Sequence, residues 1–321
     1  IILFTSRNVK FLEIFMKKYS IFLSIFILYL IINMVLFPKL YMSQTLNGIS
    51  AWAFNVLPSV LPFIFFTKIL SATQVVERVS KVFALPCKKL FGTSSLSSYV
   101  FLTSAISGYP VGAKMTADLY QSGKITKSDA FKMTSFCSTS GPMFIIGAVG
   151  IGMLSNAVYG YIIFISHILG ALINGLLYRK LNIKDTTSDK TENKSKLNTD
   201  LSSIVLDSAL SIISVGVIIA IFFVVITSLS PIFNLFPKSV SCVLEGIIEI
   251  TKGCIDISSA LPNKWSIVAC TFVISFGGIS TILQSLTMLN KLNMPVWLFV
   301  LQKFSHAMIS TLLSLIFIVM L

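Results

Sequence analysis

Ser107-Gly108-Tyr109-Pro110-Val111-Gly112-Ala113-Lys114 interrupts an apolar stretch of the chain, and a weaker counterpart, Ser275-Phe276-Gly277-Gly278-Ile279-Ser280, followed by Gln284, interrupts another near the far end. In hydrocarbon, backbone that leaves the helix must bury its freed amide and carbonyl groups against protein or a wet cavity. Two such interruptions at corresponding places in two halves mark the solute site of a secondary transporter.

Working outward, the composition fits that setting. Of 321 residues, 55% are hydrophobic and 12% charged, with a mean hydropathy of +0.88. A soluble domain carries about a quarter charged residues, so the chain reads as a polytopic membrane protein. The net charge of +13 would point to nucleic acid on a soluble domain. Here the basic residues flank apolar spans, as the positive-inside rule predicts, and no nucleic-acid partner is expected. Five scattered cysteines, Cys87, Cys137, Cys242, Cys254 and Cys270, show neither metal-ligand nor disulfide spacing.

The spacing of apolar runs predicts an N-terminal anchor helix at Tyr19–Phe37, preceded by Arg7, Lys10, Lys17 and Lys18, and a span at Leu46–Leu70. Residues 74–91 form an amphipathic basic helix on the cytoplasmic surface. The apolar arms of Ser95–Gln121 are each too short to cross, so this segment predicts a re-entrant hairpin with its tip at Ser107–Gly112. Phe131–Leu154, broken at Ser138-Thr139-Ser140-Gly141-Pro142, and Ala157–Tyr178 both span.

Polar residues 181–200 read as a disordered cytoplasmic linker. Beyond it, Ile204–Leu229 spans and ends at Pro231 and Pro237. Val240–Ser258 is expected as an amphipathic surface helix, Trp265–Leu289 as a second broken hairpin, and Val296–Leu321 as the last span.

Parity supports this plan. The N-terminal flank and the linker are both basic and share the cytoplasm, so an even number of crossings separates them. Treating Ser95–Gln121 as a hairpin gives four. The expected fold is therefore an all-α polytopic membrane protein of two inverted-topology halves, each with a broken re-entrant helical hairpin. Its parts are an N-terminal anchor (1–45), a first repeat (46–180), the linker (181–200) and a second repeat (201–321). With Lys39, Lys238, Lys252, Lys264 and Lys291 outside and Lys303 in the last span, 19 of the 25 basic residues are cytoplasmic.

Several polar residues stand inside the apolar spans. Lys303 and His306 share one face of the last span, and a charge in mid-bilayer faces a cavity or a partner because insertion costs at least ~2.5–3.5 kcal/mol. His167 serves either as a helix–helix hydrogen-bond partner or as a ligand. Lys114 either meets an anion at the hairpin tip or emerges towards the cytoplasm, where Asp118 is a ready partner. The helix starting near Pro110 points its N-terminus at the cavity, which favours an anion. Ser140 and Gly141 offer either ligating groups or a kink. The candidate solute-binding set is Ser107, Gly108, Tyr109, Pro110, Lys114, Ser140, Gly141, Gly277, Gly278, Ser280, Lys303 and His306. No phosphate loop, metal-spaced histidine pair or serine elbow occurs, so neither an enzyme, a cofactor nor a metal is expected.

These residues carry a family resemblance. Ala51-Trp52 with Val56-Leu57-Pro58-Ser59 and Leu61-Pro62-Phe63, then Ser107 to Lys114, Gly123 to Ala130, Ser140-Gly141-Pro142 through Leu154, and His167 match in the first half. Leu244-Glu245-Gly246-Ile247-Ile248-Glu249-Ile250-Thr251 with Gly253, Phe276 to Ser280, and Lys303 with His306 continue it. Over about residues 45–321 the chain resembles the YlbJ (SpoVV) family of sporulation integral membrane proteins, grouped with the nucleoside-recognition or Gate domain superfamily. It departs from that pattern after Ser280, where Thr281-Ile282-Leu283-Gln284 replaces a more polar run.

The resemblance implies a fold similar to concentrative nucleoside transporters. It also implies transport of dipicolinic acid across the outer forespore membrane, with the lipid bilayer as surroundings and homo-oligomers possible. Dipicolinate is a planar aromatic dianion, which helix N-termini, lysines and an aromatic slot would suit. Carboxylates at the pocket would instead favour a nucleoside, and the predicted spans contain only Asp207. A non-transporting scaffold for spore-envelope assembly is the alternative from another class.

Overall fold

The computed structural model describes residues 6–73, 75–183 and 201–320, and every regular element among them is helical. The first helix, α1 (Ser6–Leu36), stops one residue short of Pro38, which opens α2 (Pro38–Ala51). Proline suits that first turn because its missing N–H has no helical partner there. A π-helical turn, Trp52–Val56, joins α2 to α3 (Leu57–Ala72), so the ladder widens just ahead of Pro58 and Pro62. Amphipathic α4 (Val75–Phe91) exposes Val75, Val79, Val82, Phe83 and Leu85 and ends on Lys88 and Lys89. That pattern fits a helix lying in the membrane interface.

The first expected hairpin is present as α5 (Ser97–Ser107) and α6 (Val111–Gln121). Each arm has 11 residues, about 16 Å at ~1.5 Å per residue and so about half of a ~30 Å hydrocarbon core. Next, α7 (Lys127–Met133) opens with a Thr126–Asp129 capping box, residues 134–141 leave the helix, and a π-helix runs over Met143–Met153. The interruption of Phe131–Leu154 is thus wider than the five residues expected. The capped helix α8 (Ala157–Leu177) closes the first half, with Asn156 accepting from the Val158 amide at 2.9 Å. The expected linker falls outside the described residues from 184 onward.

The second half corrects two expectations. After α9 (Leu201–Phe233), which carries Pro231 in its last turn instead of ending there, Val240–Ser258 is not one surface helix. It is a second hairpin, α10 (Lys238–Ile248) and α11 (Ile250–Ala260), whose arms pack along their length and are again 11 residues each. Gly246 and Gly253 allow that approach; a Cβ on Gly253 would sit 2.1 Å from the Gly246 Cα.

Trp265–Leu289, in turn, is not a hairpin. Helices α12 (Asn263–Phe276) and α13 (Gly278–Leu289) follow one another as one interrupted crossing, both touching α10, with α12 otherwise on α8, α11 and α14 and α13 on α6 and α9. A 3₁₀ turn, Asn290–Leu292, leads to α14 (Val296–Val319). Each half therefore runs span, hairpin, broken span, span, in opposite orientation. Lys291 therefore stands in the turn that joins the broken span to α14.

Among the described residues, five segments are long and apolar enough to cross a membrane: Pro38–Leu70, Ala157–Leu177, Leu201–Phe233, Asn263–Leu289 and Val296–Val319. The buried apolar side chains form one cluster where hairpin α5–α6 and α7 meet α13 and α14. Another lies where α10–α11 meets α8 and α12, and a smaller one joins α2 to α9. Helix α1 packs less closely, leaving an apolar groove of about 610 Å³ lined by α1, α2 and α9.

Candidate functional site

Four departures from helical geometry converge between the packed halves. At the first hairpin tip, Gly108 adopts φ +80°, a conformation that costs any other residue steric strain. It packs directly on the first helix break, because a Cβ there would lie 2.8 Å from the Gly141 nitrogen. Symmetrically, Gly278 at the second break packs on Ile250 and the Ile248 carbonyl of the second tip. Each tip therefore rests on the break of its own half.

Freed backbone groups at the first break are satisfied by side chains of α8 and α14. Asn174 donates to the Ser135 carbonyl at 2.7 Å, and Gln302 to the Phe131 carbonyl at 2.8 Å. Lys303 donates to the Ser138 carbonyl at 2.9 Å, and the Ser140 amide donates to His167 Nε2 at 2.9 Å. This is the accounting that hydrocarbon demands of a broken helix. At the second break Gly277 (φ +91°) closes α12 with its amide on the Val273 carbonyl at 3.0 Å.

Lys303 is 2% exposed. Its ammonium also donates to the Tyr109 hydroxyl at 2.5 Å and lies 4.7 Å from the centre of the Tyr109 ring. Among the described residues, no carboxylate stands within ion-pair distance of it. The Tyr109 hydroxyl in turn reaches the Ile274 carbonyl at 3.5 Å, so tip one touches break two through a single side chain.

The second tip is built differently. Glu249 alone leaves the helix (φ −140°, ψ 123°), and its carboxylate accepts from the Lys252 amide at 2.7 Å, capping α11. It is 4% exposed. Lys252 bridges the two arms, pairing with Glu245 at 3.2 Å and with Asp256.

A cavity of about 110 Å³ lies among these elements. Its polar wall is Ser107, Gly108 and Tyr109 from tip one, Ser140 and Gly141 from break one, Glu249 and Thr251 from tip two, and Ser280, Thr281 and Gln284 from α13. The π-turn and α3 (Val56, Val60, Phe63, Ile64) and α9 (Val215, Ile218, Ile219) supply an apolar wall.

Of the residues singled out from sequence, Ser107, Gly108, Tyr109, Ser140, Gly141 and Ser280 stand on this wall. Lys303 and Gly277 stand behind Tyr109, His306 packs on His167, and Gly278 faces the second hairpin. Pro110 opens α6 off the cavity, and Lys114 is exposed away from it. Glu249, Thr251 and Thr281 were not anticipated. Glu249 also overturns the expectation that no carboxylate would reach the pocket.

Comparison with known proteins agrees with this architecture. Residues 53–157 match the Gate family model, described as nucleoside recognition. The chain is 27% identical over 304 residues to the sporulation integral membrane protein YlbJ of Bacillus subtilis (strain 168), covering 82% of this chain and 74% of that protein. Among solved structures it is similar to CNTnw, a concentrative nucleoside transporter, in an inward-facing substrate-bound state. That match has a TM-score of 0.56 and 16% identity, and covers 98% of this chain and 88% of the other. A CNTnw variant in an outward-facing state gives 0.54, 16%, 98% and 87%. These likenesses bear out the resemblance read from the sequence, and the structural ones show a shared fold. The protein is a multi-pass membrane protein with a transporter-like fold.

Proposed function

We propose that the chain carries a small planar solute through the cavity between its two hairpin tips, with dipicolinate as the substrate and the outer forespore membrane as its place of work. The observation that carries this reading is the convergence of two re-entrant tips, the first helix break and the helix that follows the second, from halves of opposite orientation, on one cavity. Alternating-access carriers use that geometry to offer one site to either membrane face.

Two helices, the π-helix at Met143 and α13, begin beside the cavity wall without a side-chain cap. Helix N-termini favour carboxylates. Tyr109 supplies an aromatic face, and Lys303 behind it supplies a hydrogen-bond donor. At about 110 Å³ the cavity lies below the ~300 Å³ of ordinary small-molecule sites, so a ring-sized solute enters only as a tip withdraws.

Glu249 favours a second reading. A carboxylate on the wall repels a dianion, whereas with Gln284 and the hydroxyls it would hydrogen-bond a neutral solute such as a nucleoside. Uptake of radiolabelled dipicolinate into proteoliposomes, with unlabelled nucleosides as competitors, separates the two. The expected result is saturable uptake that Gly108→Leu abolishes. Nucleoside uptake without dipicolinate uptake would replace the substrate. Uptake of neither, under imposed proton or sodium gradients, would favour the scaffold reading.

A further inference from the structure

His167 lies in α8, outside the cavity wall, and is fully buried. Its Nε2 faces the Ser140 amide at 2.9 Å, and its Nδ1 faces the Ser275 hydroxyl at 2.9 Å. An amide can only donate, so Nε2 carries no proton, and a neutral ring must hold its proton on Nδ1 and donate it to Ser275. Ser140 is at the first helix break; Ser275 is in the last turn of α12, just ahead of the second. One imidazole thus spans both breaks.

A second imidazole packs beside this one. His306 Nε2 donates to the His167 carbonyl at 2.9 Å, because a carbonyl can only accept, and the two rings lie 4.7 Å apart. Lys303 from α14 approaches the same break.

We propose that His167 is a positioning residue for the solute site: as a neutral Nδ1–H tautomer it ties the two helix breaks together and so sets the cavity wall at Ser140 against the wall at Ser280. This rests on the transport reading only for its functional consequence.

Because the chain has two histidines, ¹⁵N-histidine labelling of the full chain in bilayers resolves both rings, and His306→Gln assigns them. The expected spectrum shows His167 protonated at Nδ1 alone and His306 protonated at Nε2. A His167 protonated at Nε2, or at both nitrogens, overturns the proposal whatever the substrate is.

In vesicles that take up solute, His167→Gln, whose carbonyl can accept from Ser140, keeps the apparent KM within about twofold, whereas His167→Leu raises it about tenfold. Equal, wild-type KM in both would also overturn it. Should His167→Leu not accumulate, Ser275→Ala, which removes only the Nδ1 acceptor, gives a rise of about threefold, and an unchanged KM counts against the proposal. Absence of all uptake would sink the transport reading while the tautomer measurement still decides the bridge.

Discussion

The two hairpins meet the same requirement with opposite chemistry. Tip one spends three residues, Gly108-Tyr109-Pro110, on its turn and starts α6 with no side-chain cap. Tip two turns on one residue, and that residue's carboxylate caps the helix that follows. Tip one therefore presents an aromatic ring backed by Lys303, while tip two presents a carboxyl group partly engaged by its own backbone. An inverted repeat relates the positions of elements but not their electrostatics, and the site is polar in one direction as a result.

The largest effect should come from the clamp on tip one. A Cβ on Gly112 would fall 1.7 Å from the Cys137 carbonyl oxygen, so Gly112→Ala must move the hairpin off the first break. Overpacking of this kind costs ~1–3 kcal/mol or more. Thermal unfolding in detergent should fall by roughly 2–5 °C, and Gly253→Ala, which strains only the arms of hairpin two, by less. An equal fall in both would erase the difference between the clamps.

Glu249→Gln is the sharpest probe of the contrast itself, because it keeps a capping oxygen and removes the charge. Apparent affinity for dipicolinate should rise roughly tenfold, measured by uptake. A fall, with nucleosides losing affinity in parallel, would assign the carboxylate to substrate binding. From the other side, Lys303→Met leaves the Tyr109 hydroxyl and Ser138 carbonyl without their donor, and dipicolinate affinity should fall about tenfold. Smallest of all, Lys114→Ala should alter uptake less than about twofold, as an exposed side chain off the cavity. A larger loss would return Lys114 to the site.

This contrast also shows what the sequence could reveal. Gly108, Pro110 and Gly277 stand out because glycine and proline in an apolar run are visible breaks, and Lys303 because charge is expensive there. Glu249 was hidden. Glu245, Glu249, Lys252 and Asp256 repeat at three and four residues, as an unbroken amphipathic helix would. The turn there needs neither glycine nor proline, since φ −140° is open to any residue.

A subtler signal was present in Gly246 and Gly253, one on each side of Glu249 where two arms must touch. The broken span at Trp265–Leu289 was misread for a related reason: a Gly-Gly break looks the same in sequence whether the chain reverses or continues. Partners from distant elements, such as Asn174 and Gln302 on the first break, lie beyond the reach of any local pattern.

Four arms of 11 residues have a consequence for how the gene can change. Adding one residue to an arm advances everything beyond it by ~1.5 Å and turns it by a 3.6th of a circle. Gly108, Tyr109 or Glu249 would then face lipid, with no slack in the membrane to absorb the shift. Point substitution can retune the site residue by residue, but insertions and deletions within the arms should be purged, confining length variation to the stretches that connect them in water.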